Sequence, residues 1–482
     1  MKDIREWMDS LRSIGELVEV TAEVDPHLEI TEIADRVMKA GGPALLFRNV
    51  RGSDMPVLIN QFGSERRMSM GLGGESLDGL AERISELVEL QPPQGLMEKV
   101  KALGKLRELA SFGAKIVKSG PCQEIVLTGD DIDLDRVPIL TCWPDDGGPF
   151  ITLPLVFSRD PRTGTRNCGM YRVQKADRRT CMMHWQIHKD GAAHLRDSEG
   201  RVPVAVVVGT DPAITYSATA PLPPNVDEMM FAGFLRGKQV EMVRCVTQDI
   251  EVPAHAEIVL EGYVDAGDLR DEGPFGDHTG FYTPVDQYPT FHLTALTMRR
   301  DPVYSTTIVG MPPMEDFWLG KATERLFLPL IRMTVPDIVD MNLPLEGVFH
   351  NCAIVSVKKR YPGHAKKLMN AVWGLGLLSL TRCVVVVDHD VDVQDVSDVA
   401  FHAFSNVDAG RDMLLVDGPV DALDHAAPYA AYGAKIGFDA TRKWDGEGLV
   451  RPWPDEIRMS DDIRARVDSR WGELGIRLPG VN

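Results

Sequence analysis

The sequence predicts a multidomain α/β protein, and three observations carry the prediction. The chain is too long for one core, strand-like runs alternate with amphipathic helices at both ends, and the stretch from about 120 to 300 consists of short β-branched runs broken by turns. At 482 residues, two or three domains are expected. The 44% hydrophobic and 26% charged fractions belong to a chain that folds throughout and buries a large interior.

The opening segment, MKDIREWMDSLRSIGELVEV, has charges where a signal peptide needs an apolar core, and its Ile4, Trp7, Met8 and Leu11 recur at helical spacing. It is read as an amphipathic first helix. PALLFRNV and PVLINQFG are read as strands, and SLDGLAERISELVEL as a helix with Leu77, Leu80, Ile84 and Leu87 on one face. A Lys-rich helical connector, opened by a Pro pair and closed by Ser-Gly-Pro, follows from residue 91, and a boundary is placed near 115. The segments FITLPLVFSRDPRTGTRNCGMYRVQ, VPVAVVVG, QVEMVRCVTQDIEV, EIVLEGYV and PTFHLTALTMRR then suggest an antiparallel barrel or sandwich. After roughly 320 the α/β texture returns. HAKKLMNAVWGL and VSDVAFHAFSN are read as helices around the buried strand of TRCVVVVDHDVDV, and a polar helix near the end is expected to lie across a subunit contact.

Composition excludes some functions. A net charge of −19 without a dense basic run argues against nucleic acid, while leaving room for a small anion in a local Arg/Lys pocket. The longest apolar runs fall far short of the ~20 residues of a membrane-spanning helix, so a soluble, cytoplasmic protein is expected. Seven cysteines stand singly with no CxxC pair and are read as reduced and buried. No GxGxxG after a strand, no GxxxxGK[ST] and no GxSxG is present, and GLGGES at 71–76 is read as a turn.

Chemistry concentrates in RDEGPFGDHTGFY. Gly273, Pro274 and Gly276 break helix and strand between Glu272 and Asp277, so both acids are assigned to a loop. Two readings stand: a pair of carboxylates sharing one cavity and handling a proton, or a solvated turn in which Asp277 caps Thr279. Asn167 and Arg172, five apart in a strand-like run, would face opposite sides unless a bulge intervenes. In MMHWQIHKDG, His184 and His188 have the spacing of a helical metal pair in surroundings that do not read as helix. Glu228 follows a Pro-rich turn at a helix start capped by Asn225 or Asp227. Asn, His and Glu together would favour Mn²⁺ or Mg²⁺ over zinc.

The segments NCGMYRVQ, HWQIHKDG, VDEMMFAGFLRG, EVPAHAEIVLEG, EGPFGDHTGFY and GAKIGFDATRKW, in order over essentially the whole chain, resemble the UbiD family of reversible decarboxylases. That resemblance implies an N-terminal α/β region (1–115), a central split β-barrel domain binding prenylated FMN (116–318) and a C-terminal α/β dimerisation domain (319–482), in a homo-oligomer, dimer or hexamer, that closes about a hinge. It implies metal ligands Asn167, His188 and Glu228 for Mn²⁺ or Mg²⁺, with K⁺ possible, and a catalytic set Arg172, Glu272 and Asp277. Cofactor contacts are implied at Asn167, Tyr171, Arg172, Gln186, His188, Ser217, Ala218, Ala220 and Arg382. The implied partners are an aromatic carboxylic acid, CO₂ and a flavin prenyltransferase as cofactor supplier. Asp277 stands where the acrylic-acid decarboxylases of the family carry Glu, which points to hydroxylated aromatic acids or quinone precursors. An FMN-dependent reductase on the same barrel and a non-catalytic scaffold are the alternatives.

Overall fold

The computed structural model of the chain describes residues 1–88, 111–185, 190–198, 200–223 and 226–476. Most of the expected helical connector lies outside these residues. Its described end holds the short strand Lys115–Val117 and a 3-10 turn, Pro121–Gln123, in place of helix.

The first helix, Ile4–Ser13, starts where the Asp3 carboxylate accepts the N–H groups of Arg5 and Glu6. Its Ile4, Trp7, Met8 and Leu11 are buried, as their spacing predicts, against Ala44, Leu46, Leu58 and Val303. They cover a four-stranded sheet in which Leu17–Val24 runs parallel to Ala44–Val50, and Val57–Ile59 joins them antiparallel. The fourth strand, Tyr304–Ser305, arrives from the far end of the central region.

A nine-stranded antiparallel sheet, curled as a half-barrel, forms the centre. Its spine is the long pair Ile258–Glu272 and Asp286–Met298, paired from Ile258↔Met298 to Glu272↔Asp286 with register shifts between Glu261 and Gly262 and between Asp265 and Leu269. The apolar run in Arg201–Val208 shows why alternation is absent there. Val202, Val204, Val206 and Val208 face the core shared with Phe47 and Ile59, while Ala205 and Val207 face a second core under the helix Glu228–Arg236. Both faces are dry, so both must be apolar.

The third part is a five-stranded mixed sheet ordered Ile338–Asn342, Cys352–Val357, Cys383–Asp388, Tyr432–Asp439, Met413–Pro419. The helix His364–Trp373 buries Ala365, Leu368, Met369 and Val372 on it. The helix Asp316–Thr334 ties the parts together, since its Leu319, Ala322, Leu326 and Phe327 share one cluster with Phe62, Leu80, Ile84, Tyr216 and Leu235. The helix Asp461–Arg470 buries none of its residues, in keeping with its polar sequence.

All seven cysteines are free, but Cys352 and Cys383 are only partly buried, against the expectation for the set. They are register partners on neighbouring parallel strands at the margin of the third sheet. Among the described residues no helix is long and apolar enough to cross a membrane.

Candidate active site

Glu272 is not in a loop: it is the last residue of the central strand Ile258–Glu272, opposite Asp286. The glycines act just beyond it. After Gly273 and Pro274 the chain forms a small hairpin, Phe275–Gly276 against Tyr282–Thr283, with Asp277 to Phe281 at its tip. The tip closes by Asp277 N–H to Phe281 O (3.1 Å) and Gly280 N–H to Asp277 O (2.9 Å), with Gly280 at φ +81°.

Arg172 stands between the two acids. Its Nε and Nη2 donate to Glu272 Oε1 (2.7 Å) and Oε2 (3.0 Å), and its Nη1 donates to Asp277 Oδ2 (2.6 Å). Nη2 also donates to the Thr283 hydroxyl (3.1 Å), and the Phe275 ring covers the guanidinium at 4.5 Å. Five donors in a planar fork allow one cation to hold both carboxylates. Arg172 lies beyond the strand Arg166–Met170, which ends two residues earlier, so strand alternation does not fix its side relative to Asn167.

Both acids are ionised. Glu272 is fully buried and burial alone would raise its pKa, but His184 and Arg172 overrule this and hold it at about 2. At Asp277 burial is overruled by His278 and then Arg172, and the carboxyl lies well below the ordinary range. The solvated-turn reading therefore fails: Asp277 is 6% exposed, and its Oδ1 takes the N–H and Nδ1 of His278 (2.7 Å each), not Thr279. His184 sits with Nδ1 3.3 Å from Glu272 Oε2, its ring against Tyr288. Burial lowers its pKa first, so it is a neutral imidazole under a carboxylate.

Asp146 fastens this arrangement. Its Oδ1 accepts Gly276 N–H (2.8 Å), and its Oδ2 accepts Cys142 N–H (3.0 Å) and Trp143 N–H (2.9 Å). Gln174 Oε1 accepts Gly273 N–H (2.8 Å), and Gly147 donates to Pro274 O (2.8 Å). A Cβ at Gly147 would lie 2.0 Å from Gly273 O, so only glycine permits the approach.

Asn167 and Glu228 come together on the other side of the strand break. Cys168 N–H donates to Glu228 Oε2 (3.3 Å), which sets that carboxylate beside Asn167 at the start of a helix capped by Asp227. Asn167 Nδ2 is buried without a hydrogen-bond partner among the described residues. Burial, then Asp227, pushes Glu228 up to about 7. An amide oxygen and a carboxylate short of positive charge fit a hard divalent cation. His188 and Gln186, and Asn225, lie outside the described residues.

The segment carrying Ser217, Ala218 and Ala220 runs alongside, with Ala218 O accepting Met170 N–H (3.1 Å). The Ser217 hydroxyl donates to Ala213 O (2.7 Å), so its side chain has no proton left to donate to a ligand. Tyr171 is buried, with its ring over Gly169. Arg382 is in the third part, paired to Asp424 (2.9 Å), and is not among the partners of either acid. The sequence does not single out Asp146, Gln174 or Thr283, although Gln174 ends the NCGMYRVQ stretch, because each acts through a contact 99 to 130 positions away; His184 is marked only by its spacing to His188, and its contact to Glu272 lies 88 positions on.

Family models of 3-octaprenyl-4-hydroxybenzoate carboxy-lyase match three consecutive stretches: its N-terminal domain over residues 8–88, its Rift-related domain over 115–312 and its C-terminal domain over 317–440. An uncharacterized protein of Archaeoglobus fulgidus is 51% identical over 478 residues, 98% of each chain. Among solved structures, the UbiD-class enzyme HmfF from Pelotomaculum thermopropionicum in complex with FMN is 30% identical, with a TM-score of 0.78 over 94% of this chain and 97% of that one. An evolved dimeric form of HmfF in complex with prFMN is 28% identical, with a TM-score of 0.76 over 96% and 100%. Vanillic acid decarboxylase of Sedimentibacter hydroxybenzoicus, in its closed form, is 25% identical, with a TM-score of 0.84 over 99% of both chains.

Proposed function

We propose, from the premise that this chain belongs to the UbiD family of carboxy-lyases, that it is a reversible non-oxidative decarboxylase of an aromatic carboxylic acid, using prenylated FMN and a divalent metal. The observation that carries the reading is one buried arginine shared by two ionised carboxylates. Other arginines of the chain also hold two acids, Arg299 with Asp3 and Glu257 among them; what sets Arg172 apart is that each of its acids is backed by a histidine, His184 behind Glu272 and His278 behind Asp277.

Arg172 binds the substrate carboxylate through that fork, as a bidentate partner. It can do so only by loosening its hold on Glu272. Glu272 then loses the charge that keeps it ionised, stays buried, and rises toward the range in which it takes up a proton. From there it donates that proton to the carbon left by CO₂. His184 keeps Glu272 oriented during the exchange, and Asp277 retains Arg172 at the site. Prenylated FMN, when bound, supplies the electron sink for loss of CO₂. Asn167, His188 and Glu228 would hold Mn²⁺ or Mg²⁺, the backbone of Ser217 to Ala220 would offer N–H groups to the phosphate or carbonyls to K⁺, and Tyr171, Gln186 and Arg382 would complete the cofactor contacts.

The substrate is a hydroxylated or polycyclic aromatic acid, a quinone precursor included. Asp277 in place of Glu supports this, as does the similarity to a vanillic acid decarboxylase. The three domains run 1–115, 116–318 and 319–482, and the protein works as a homo-oligomer. Co-expression with a flavin prenyltransferase, followed by mass spectrometry of the released small molecule and metal analysis, tests the reading. Prenylated FMN with stoichiometric Mn²⁺ is expected; plain FMN, or no flavin, would remove it.

A further inference from the structure

We infer that His350, acting through His278, is a positioning residue for Asp277, so that the acid site is completed from the third part of the chain. The inference deepens the proposed function and rests on its placing of Asp277 in the acid site.

The Asp277 carboxylate only accepts, so His278 Nδ1, 2.7 Å from Oδ1, carries a proton. The other ring nitrogen of His278, Nε2, is 2.8 Å from His350 Nε2. Two imidazole nitrogens at that distance share one proton, and one ring donates while the other accepts. The surroundings decide which. His278 is faced by Asp277 on its own hairpin, by Asp316 at the start of the Asp316–Thr334 helix, and by Asp421, with Arg172 as the opposing cation beyond Asp277. Burial disfavours its charge, but the carboxylates overrule burial and raise its pKa. His350 is faced by His278, Asp277, Asp421 and Asp424, and burial, then the His278 charge, pushes it down to about 4. His278 is therefore the imidazolium donor and His350 the neutral acceptor.

The backbone supplies a second, independent observation. Val348 and Phe349 both lie in the left-handed region, at φ +50° and +49°, a conformation a β-branched and an aromatic residue rarely adopt. Such outliers persist where surrounding structure enforces them. Here the result is that Phe349 stacks on the His278 ring (5.5 Å, 23°) and His350 meets its edge nitrogen. Gly320 makes the room, since a Cβ there would come within 2.8 Å of Phe349. The bridge fixes the ring of His278, so Oδ1 of Asp277 stays occupied by a cation and Oδ2 stays turned to Arg172. When Arg172 moves to a substrate carboxylate, Asp277 keeps a charged partner supplied across the boundary between the parts.

The test is nitrogen-15 NMR of the full-length, histidine-labelled protein over a pH series, with His278→Asn giving the assignment. In the wild type, His278 is expected doubly protonated at pH 7, with a coupling between the two Nε2 atoms through the shared proton. His350→Leu should lower the His278 midpoint by about one pH unit, and His350→Gln, whose amide oxygen accepts the same N–H, should restore it. A neutral His278 at pH 7, an equal midpoint in wild type and His350→Leu, or no coupling between the two rings would overturn the inference. The coupling is read on the unsubstituted protein, so a variant that fails to fold does not decide the matter. None of these signals needs flavin or substrate, so failure of the decarboxylase reading and failure of the bridge are separately visible.

Discussion

Removing the charge of Glu272 while keeping its shape separates its two tasks. In Glu272→Gln the amide still accepts from Arg172 but cannot hand over a proton, so turnover should fall by about 10²–10⁴-fold or more while bound flavin is retained. CO₂ release and flavin absorbance on one sample read both; unchanged turnover would sink the assignment. The same residue shapes acid stability. Glu272 is held at about 2, below the ordinary 4.5, as His184 and Arg172 overrule burial. Its depressed pKa stabilises the fold fully above about 4.5, and that contribution, on the order of 3 kcal/mol, is lost as pH falls toward 2. Melting temperature against pH should therefore fall less steeply in this interval for Glu272→Gln than for wild type; parallel slopes would contradict the ion pairing. What the sequence shows at this scale is residue type within motifs. Arg172, Glu272 and Asp277 were legible because each stands in a stretch that resembles a family, whereas His184 was drawn to His188 by spacing and only the fold turned it toward a glutamate 88 positions on.

The hairpin that presents Asp277 has only two residues per strand, too few to hold itself. Asp146 holds it from outside by accepting from Gly276, Cys142 and Trp143. Asp146→Ala leaves three backbone donors without their carboxylate, which should cost about 2–4 kcal/mol in urea unfolding. A change within about 0.5 kcal/mol would show that water replaces the carboxylate and that the hairpin needs no clamp. Elements were legible wherever burial was one-sided or complete: Ile4 to Leu11 reads as a helix face, and VPVAVVV as a strand between two cores. Glu272 was misplaced into a loop because Gly273 and Pro274 break the pattern one residue later, and because the partner that extends the strand, Asp286, lies beyond the hairpin. The same non-local pairing brings Tyr304–Ser305 back to the first sheet, which composition shifts along the chain do not reveal.

Charge over the whole molecule bears on how an anionic cofactor is held. At −19, the chain repels a phosphate at long range, and only local positive charge overturns that. The guanidinium at the centre of the site is already neutralised by two carboxylates. Glu228, held near Asn167 and pushed up to about 7 by burial, would have to give up its proton next to the proposed phosphate, and a cation between the two favours its ionised form. Flavin binding should therefore depend on the divalent ion, and a thermal-shift measurement reads this without turnover. FMN and Mn²⁺ together should stabilise the protein, by about 2.7 kcal/mol at a hundredfold excess over Kd, and a chelator should remove most of that gain. Glu228→Gln should lose the Mn²⁺-dependent part while its melting temperature without ligands stays close to wild type, because the substitution relieves a carboxylate that burial already pushes up to about 7. An equal FMN-dependent gain with and without chelator would mean that the protein's own cations carry the phosphate, and the metal would then have to be assigned elsewhere.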